Sequence, residues 1–341
     1  MTLDDVIGAA GAAEIASIGA IRFHAVGDTG RPGHNDRQQA VADDMTLDYQ
    51  PDAAGNNPAF FLHLGDVIYG PNKDQMYRDE FYRPYMHYPG KIIAIPGNHD
   101  GEVFAASDRE SLQAYLANFC AANPAVPAAA QQVGILRQMV AQPGAYWWLN
   151  APFVDLIGLY SNVLEGPGAL VGQGDDTSQK DWLVKTLREI AATRKSSGAS
   201  KALIIATHHP PFSSSGHSGS PQMLADIDDT CNTAGIIYDA VLSGHAHNYQ
   251  RYTRRVNFNG VAKEIPFVVA GGGGHGAQAV KDAYGQPNGD HTYESALGDY
   301  GYLLVTVSST LLKIDVWQVS PAESNRPFDS VTVNLQTHQE R

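Results

Sequence analysis

Charged residues are scarce in this chain, and basic residues are scarcer than acidic ones. Its 341 residues are 17% charged and include 23 Lys and Arg against 36 Asp and Glu, for a formal net charge of −13 at pH 7. Proteins bind nucleic-acid polymers and anionic membranes through clusters of Lys and Arg. We therefore expect neither as a partner. A small anionic substrate would need a local positive charge, such as a metal ion, to attract it.

Cysteines and long apolar runs are also few. Cys120 and Cys231 are the two cysteines, too few for a disulfide framework, and neither lies in a CxxC pattern. No apolar run reaches the roughly 20 residues that a transmembrane helix needs. Asp4 and Asp5 precede Arg22, the first basic residue, so the N-terminus lacks the positive charge of an export signal. We expect a cytoplasmic protein, although a trimmed leader would leave the periplasmic and secreted locations open.

Short apolar runs alternate with helix-length connections in the first two thirds of the chain, which predicts parallel βαβ units. Later segments are β-rich, and Asn259-Gly260 is a strong hairpin turn signal. We predict a single domain over residues 1–341, with residues 1–20 as an extension and 101–144 as an insertion. The main predicted strands before the hairpin are Ile21–Val26, a run beginning at Phe61, Ile92–Pro96, Ala202–Thr207 and Asp239–Ser243.

Polar side chains follow five of these strands at the point where each strand ends. They lie in GDTG (Asp28), GDVIY (Asp66, Tyr69), GNHD (Asn98, His99), THHP (His208) and GHAH (His245, His247). The ends of strands in an open α/β sheet meet at the edge where ligands bind. Oxygen and imidazole donors suit iron, zinc or manganese, and the absence of thiolate argues against a structural zinc site. The pattern predicts a dinuclear metal site.

The five motifs resemble those of the calcineurin-like metallophosphoesterases, over about Arg22 to Val319. Most members carry a histidine two positions after the first aspartate, where this chain has Gly30. Together with Tyr69, that change resembles the purple acid phosphatases, as do the segments GHAHNYQRY and AGGGGHG. The chain is similar in size to the small, single-domain members. The resemblance implies an α/β fold, a four-layer αββα sandwich of two mixed β-sheets flanked by helices.

The resemblance also implies two metal ions and a role for each motif residue. Fe³⁺ would be held at the tyrosine site, and a divalent Fe, Zn or Mn ion at the second site. The implied reaction is hydrolysis of a small phosphate monoester by a metal-bridging hydroxide that attacks phosphorus. The implied ligands are Asp28, Tyr69 and His247 for the first metal, Asn98, His208 and His245 for the second, and Asp66 as the bridge.

Three further residues are assigned by the same resemblance. His99 would donate a proton to the leaving oxygen, and His217 would be a second histidine that faces the substrate. Asp100 would orient His99. Other histidines have plainer interpretations: we expect packing or support of a ligand for His209, and core or surface positions for His24 and His63. His34 and His275 lie in loops that could border the site.

Two alternative functions remain open at this point. A phosphodiesterase acting on small molecules or nucleotide diesters could use the same ligands. A metal-binding regulatory or interaction protein that has lost turnover could also retain them, although an intact His99 argues against it. The natural substrate, the second metal and the oligomeric state cannot be predicted from these patterns.

Overall fold

Two β-sheets packed face to face form the centre of the fold. The computed structural model describes residues 1–31, 33–50, 55–106, 108–198, 200–281, 285–319 and 326–341. The strands are β1 Ala20–Val26, β2 Phe60–His63, β3 Lys91–Ala94, β4 Trp147–Asn150, β5 Val154–Gly158, β6 Ala202–Thr207, β7 Ala240–Ser243, β8 Tyr249–Phe258, β9 Val261–Ala270, β10 Gln286–Asn288, β11 His291–Leu297, β12 Gly301–Ser308, β13 Leu311–Gln318, β14 Asp329–Asn334 and β15 Gln339–Glu340.

Helices lie in the connections between these strands. They are α1 Leu3–Ile18, α2 Asp36–Leu47, α3 Asp74–Tyr77, α4 Gln113–Phe119, α5 Ala128–Gln131, α6 Ser178–Ser197 and α7 Pro221–Ala234. A π-helical turn, Arg78–Tyr82, directly continues α3. None of the helices in the described ranges is long and apolar enough to cross a membrane.

Both sheets are mixed. The first has the order β15-β14-β13-β12-β1-β2-β3, with β1, β2 and β3 parallel to one another and β12 antiparallel to β1. The second has the order β10-β11-β8-β9-β7-β6-β5-β4, with β5, β6, β7 and β9 parallel to their neighbours in that run. The hairpin at Asn259-Gly260 joins β8 to β9 as predicted, with positive φ at both residues.

The apolar core has three parts, one between the two sheets and one on the outer face of each sheet. Phe60 and Leu62 of β2 pack between the sheets, whereas Phe61 faces the helices on the outer side. In β6, Ile204 points between the sheets and Leu203 and Ile205 face α6 and α7. Successive side chains of a strand point to opposite faces, so strands that are apolar throughout have both faces covered. The predicted αββα sandwich is therefore confirmed.

The two segments predicted to lie outside the main fold both pack against it. Helix α1 contributes Leu3, Val6 and Ile15 to the core between the sheets. Within residues 101–144, Tyr115 and Phe119 of α4 join the cluster that covers the outer face of β2 and β3. The interpretation of the chain as one domain with an insertion stays a prediction.

Candidate metal centre

Loops from both sheets meet at the carboxyl ends of the parallel strands. Asp28 follows β1, Asp66 follows β2 and Asn98 follows β3, while His208 and His245 follow β6 and β7 of the second sheet. All five are buried. The two sheets therefore supply side chains to one site at the shared edge, as the motif positions predict.

The backbone is strained where these loops begin. Asp28, Asp66 and His245 have φ values of 59°, 53° and 69°, in the left-handed region that residues other than glycine rarely occupy. The Asp28 N–H donates to the Gly65 carbonyl at 3.0 Å, which helps to hold this conformation. Strain of this kind costs on the order of 1–3 kcal/mol per residue and is concentrated at functional sites.

Glycines in these loops let the carboxylates approach the backbone. A Cβ atom at Gly97 would lie 2.0 Å from Asp66 Oδ1, and one at Gly244 would lie 2.6 Å from Asp28 Oδ2. Both distances are too short for any side chain. The glycines that precede Asn98 and His245 are thus required by the position of the two aspartates.

Seven candidate ligands form two groups around Asp66. In the first, the Tyr69 hydroxyl donates to Asp28 Oδ1 at 3.1 Å and lies 3.2 Å from His247 Nε2. In the second, His208 Nε2 lies 3.1 Å from Asn98 Oδ1, and its ring is 5.1 Å from that of His245. Asp66 Oδ2 lies 3.3 Å from His208 Nε2, and ligand atoms of Asp28, Asp66 and His208 all lie within 4.8 Å of one another.

Each histidine ligand bonds a backbone carbonyl through one ring nitrogen, which leaves the other for the ligand cluster. Nδ1 of His208 donates to the Leu64 carbonyl at 2.9 Å, and Nδ1 of His247 donates to that of Gly276 at 3.2 Å. His245 uses Nε2 instead, which donates to the Glu165 carbonyl at 2.8 Å. Carbonyl partners of this kind fix the tautomer and the orientation of metal-binding histidines. This donor set fits two cations.

Three groups of the cluster, Asp28, Tyr69 and His208, have pKa values above their usual ranges. Burial, with the neighbouring Asp66 charge, raises the pKa of Asp28 to about 8 against the opposing effect of His208. Burial, Asp28 and Asp66 raise the pKa of Tyr69 well above its usual range. Burial alone would lower the pKa of His208, but Asp66 and Asp28 raise it to about 9. A metal ion held here would displace the protons that these groups retain.

His99 lies beside the cluster and is held by a carboxylate. Its Nδ1 lies 2.7 Å from Glu102 Oε2, and its Nε2 lies 4.0 Å from Asp66 Oδ2. Burial acts to lower the pKa of His99, but Asp66 and Glu102 outweigh it and the pKa is raised. The protonated ring that this favours is suited to proton donation.

Asp100 does not make the predicted contact with His99, which Glu102 makes instead. The buried Asp100 carboxylate accepts the backbone N–H groups of Gly97 at 2.9 Å and of Val67 at 3.2 Å. It therefore joins the loop after β3 to the loop after β2. The hydrogen bonds of the Asp100 carboxylate thus stabilise the structure of these loops.

His217 lies over the second group of ligands. Its ring centroid is 4.2 Å from that of His245, and its Nδ1 lies 3.4 Å from Glu165 Oε1. Gln278 Nε2 lies 3.3 Å from the other ring nitrogen of His217. The structure therefore brings His217 to the same cavity as His99, as the resemblance implies.

The remaining histidines mostly follow the plainer interpretations. His24 contacts Tyr88 and Asp48, away from the ligand cluster. His63 is buried beside the cluster, where it contacts Thr29 and accepts the N–H of Gly65 at 3.2 Å, and so supports the loops that carry Asp28 and Asp66. His34 is exposed in its loop. His209 bonds Ser161 and the Leu164 carbonyl, so it supports the loop that carries Glu165.

Several residues of the site carried little or no sequence signal. His275 stacks on Tyr69 with ring centroids 3.5 Å apart, and the segment AGGGGHG was the one indication of it. Glu102, Glu165 and Gln278 belong to irregular loops, where no periodic pattern marks a position. They reach the site only because those loops fold back over the strand ends.

Glu80 explains why position 30 is a glycine. A Cβ atom at Gly30 would lie 2.6 Å from Glu80 Oε2 and 2.8 Å from the Val67 carbonyl oxygen. The same Glu80 oxygen accepts the Tyr69 N–H at 2.7 Å. The buried glutamate thus takes the space that a histidine at position 30 would need, and it holds the backbone of Tyr69.

Solved structures with similar folds include phosphatases and a protein of another kind. The purple acid phosphatase PPD1 from yellow lupin (Lupinus luteus) seeds superposes with a TM-score of 0.62 at 15% identity, over 92% of this chain and 54% of that one. The chain thus spans about half the length of the lupin protein. GAP50, the anchor in the inner membrane complex of Plasmodium, has a TM-score of 0.62 at 13% identity, over 92% and 89% of the two chains.

PhoD superposes with a TM-score of 0.57 at 15% identity, over 94% of this chain and 71% of that one. Identities this low show a shared fold and no more. No curated protein sequence matches the chain. The sequence model of the calcineurin-like phosphoesterases does match, over residues 21–249, which is more than half of the 341 residues. The chain therefore belongs to the calcineurin-like phosphoesterase family.

Proposed function

We propose that the protein is a dinuclear-metal hydrolase of phosphate monoesters, similar to the purple acid phosphatases. The arrangement of the candidate ligands in two groups that share Asp66 supports this proposal. Asp28, Tyr69 and His247 would hold one ion, and Asn98, His208 and His245 the other. Each histidine bonds a backbone carbonyl through one ring nitrogen, so the other nitrogen would be the one to bind an ion.

When bound, two such ions neutralise phosphate charge and make a water molecule acidic enough to attack at neutral pH. The chain's own residues provide orientation and proton transfer. His99, fixed by Glu102, would donate a proton to the leaving oxygen, while His217 would contact the phosphate from the other side of the cavity. Asp100 would act on this site indirectly, by holding the two loops that carry Asp66 and Asn98.

A comparison of ester classes tests the proposal. The protein loaded with iron and zinc should hydrolyse p-nitrophenyl phosphate with a kcat/KM at least about tenfold above that for the bis-p-nitrophenyl diester. The crowded backbone at Gly30 supports this order, since the histidine common among other family members has no room there. A preference for the diester would replace the monoester proposal with the phosphodiesterase alternative.

The ferric site is tested by the visible spectrum. Tyr69 is placed beside Asp28, where a phenolate ligand would favour Fe³⁺, and such a pair absorbs visible light by charge transfer. The unreduced protein should be purple or pink, and Tyr69→Phe should lose the band. The variant ring can still stack on His275, so its circular dichroism should be unchanged. A colourless parent protein with full activity would contradict Fe³⁺ at this site.

A catalytically retired metal-binding protein is the alternative from another class. GAP50, described as an anchor, has the same fold, so the fold alone does not establish turnover. The position of His99 in the cavity beside Asp66 favours the enzyme. Stoichiometric metal without hydrolysis of either ester would favour the retired protein.

A further inference from the structure

The cavity over the metal centre differs from an ordinary anion-binding pocket. It has a volume of about 430 Å³, and no lysine or arginine occurs among the described residues that line it. Its walls carry instead the histidines of the site, the carboxylate of Glu165 and the ring of Phe104. Apart from metal ions and histidines, the described residues of these walls offer a phosphate dianion only neutral donors, the Gln278 amide and the Tyr69 hydroxyl.

Glu165 is placed where it would repel such a dianion. Its Oε2 accepts a hydrogen bond from the amide of Asn98 at 3.3 Å, and Oε1 lies 3.4 Å from His217 Nδ1. The side chain is 64% exposed, and the ion pairs of the described residues give it no lysine or arginine partner. Asn98 presents its other amide atom, Oδ1, to His208. The Glu165 carboxylate thus faces the cavity in direct contact with a candidate metal ligand, Asn98.

Phe104 adds an open aromatic face to the same cavity. Phe104 is 62% exposed, although burial of a phenyl ring is normally favourable. The Asp108 carboxylate accepts the N–H groups of Phe104 and Ala105 at 3.0 and 2.9 Å, and Lys73 pairs with Asp108 at 3.0 Å. The backbone beneath the ring is therefore held in place.

We propose that the leaving group of the substrate carries an alkylammonium group, held between the Glu165 carboxylate and the Phe104 ring. A carboxylate attracts an ammonium ion by its charge, and an aromatic face attracts it by cation–π interaction. A positive charge on the leaving group would also offset the repulsion between Glu165 and the phosphate. This substrate class rests on the proposed phosphomonoesterase function, with the phosphate at the metal centre and the ammonium a short alkyl chain away.

Matched substrates test the proposal. Phosphocholine is compared with its neutral carbon isostere, in which a tert-butyl group replaces the trimethylammonium group, and p-nitrophenyl phosphate reports the activity itself. We expect kcat/KM for phosphocholine to exceed that for the isostere by about tenfold. Phosphoethanolamine in the same series distinguishes a primary from a quaternary ammonium group.

Variants assign the preference to the two residues. In Glu165→Gln the ratio of kcat/KM for phosphocholine to that for the isostere should fall to about one, and Phe104→Leu should reduce it by about threefold. Glu14→Gln, an exposed position on helix α1, removes the same charge elsewhere and should keep the ratio of the parent protein. Metal content is measured for each variant, because Glu165 contacts Asn98.

The outcomes separate this proposal from the one on which it rests. Hydrolysis of p-nitrophenyl phosphate with a substrate ratio near one, or a ratio that Glu165→Gln leaves unchanged, overturns the ammonium proposal alone. Absence of all hydrolysis overturns the proposed function. In that case calorimetric binding of phosphocholine and its isostere to the metal-loaded protein still decides the ammonium proposal, since equal affinities would contradict it.

Discussion

Replacing Asp66 by Asn is expected to abolish metal retention and phosphomonoester hydrolysis together, with kcat/KM falling about a thousandfold or more. Asp66 lies between the two ligand groups and is buried, so its replacement removes the one carboxylate that both groups share. Asn is the appropriate substitution because it has the same shape and tolerates the φ of 53° that Asp66 adopts. Ala would add backbone strain to the loss of charge.

Elemental analysis of the bound metal tests this prediction, and circular dichroism checks that the variant is folded. Asp226→Asn is the matched control, because Asp226 is also a buried, ion-paired aspartate but contacts Lys180, which is not part of the site. The control should retain both metals and the parent activity. An Asp66→Asn protein that keeps two ions per chain would show that Asp66 does not bridge them.

Replacing His99 by Ala is expected to lower kcat about a hundred- to a thousandfold while both metals stay bound. His99 Nε2 lies 4.0 Å from Asp66 Oδ2 and the residue lines the cavity. Its side chain bonds Glu102, which is not a candidate ligand, although its ring packs against that of Tyr69. The loss should grow as the leaving group becomes more basic. An alkyl phosphate needs a proton on its leaving oxygen, whereas p-nitrophenolate leaves without one.

The dependence on the leaving group distinguishes proton donation from phosphate binding. Equal losses for alkyl and p-nitrophenyl phosphates, or an unchanged kcat, would contradict the assigned role. Glu102→Gln provides the companion measurement. It keeps a hydrogen-bonding group beside Nδ1 but removes one of the charges that raise the pKa of His99. The high-pH limb of the activity profile for alkyl phosphates, where His99 loses its proton, should therefore move to lower pH.

Much of the fold and the ligand cluster could be predicted because both depend on local sequence patterns. Strands such as β6 are short apolar runs with defined ends, and the residue after a parallel strand necessarily lies at one edge of the sheet. Asp28, Asp66 and His208 therefore come together from their positions alone. The same reasoning gave the hairpin at Asn259-Gly260, since its turn type requires those residues.

The surroundings of the cluster could not be predicted in the same way. Glu165 and Glu102 lie in loops without periodicity, and their approach to Asn98 and His99 depends on how distant segments pack. Asp100 was assigned to His99 by adjacency, but three backbone N–H groups compete for the same carboxylate and it binds them instead. Helix α1 lacks a clear amphipathic pattern, and its role in the core appears only in three dimensions.

The supply of ligands from both sheets has a mechanical consequence. His245 and Asp28 are 217 positions apart in the chain, and His208 and Asn98 are 110 apart, yet each pair is joined within one site. Ions held by such residues would bind the folded chain and lose their site on unfolding, so their binding free energy would add to the stability of the folded sandwich. Both cysteines of this protein are free thiols, so no disulfide links the two sheets. The metal pair would be the link between them.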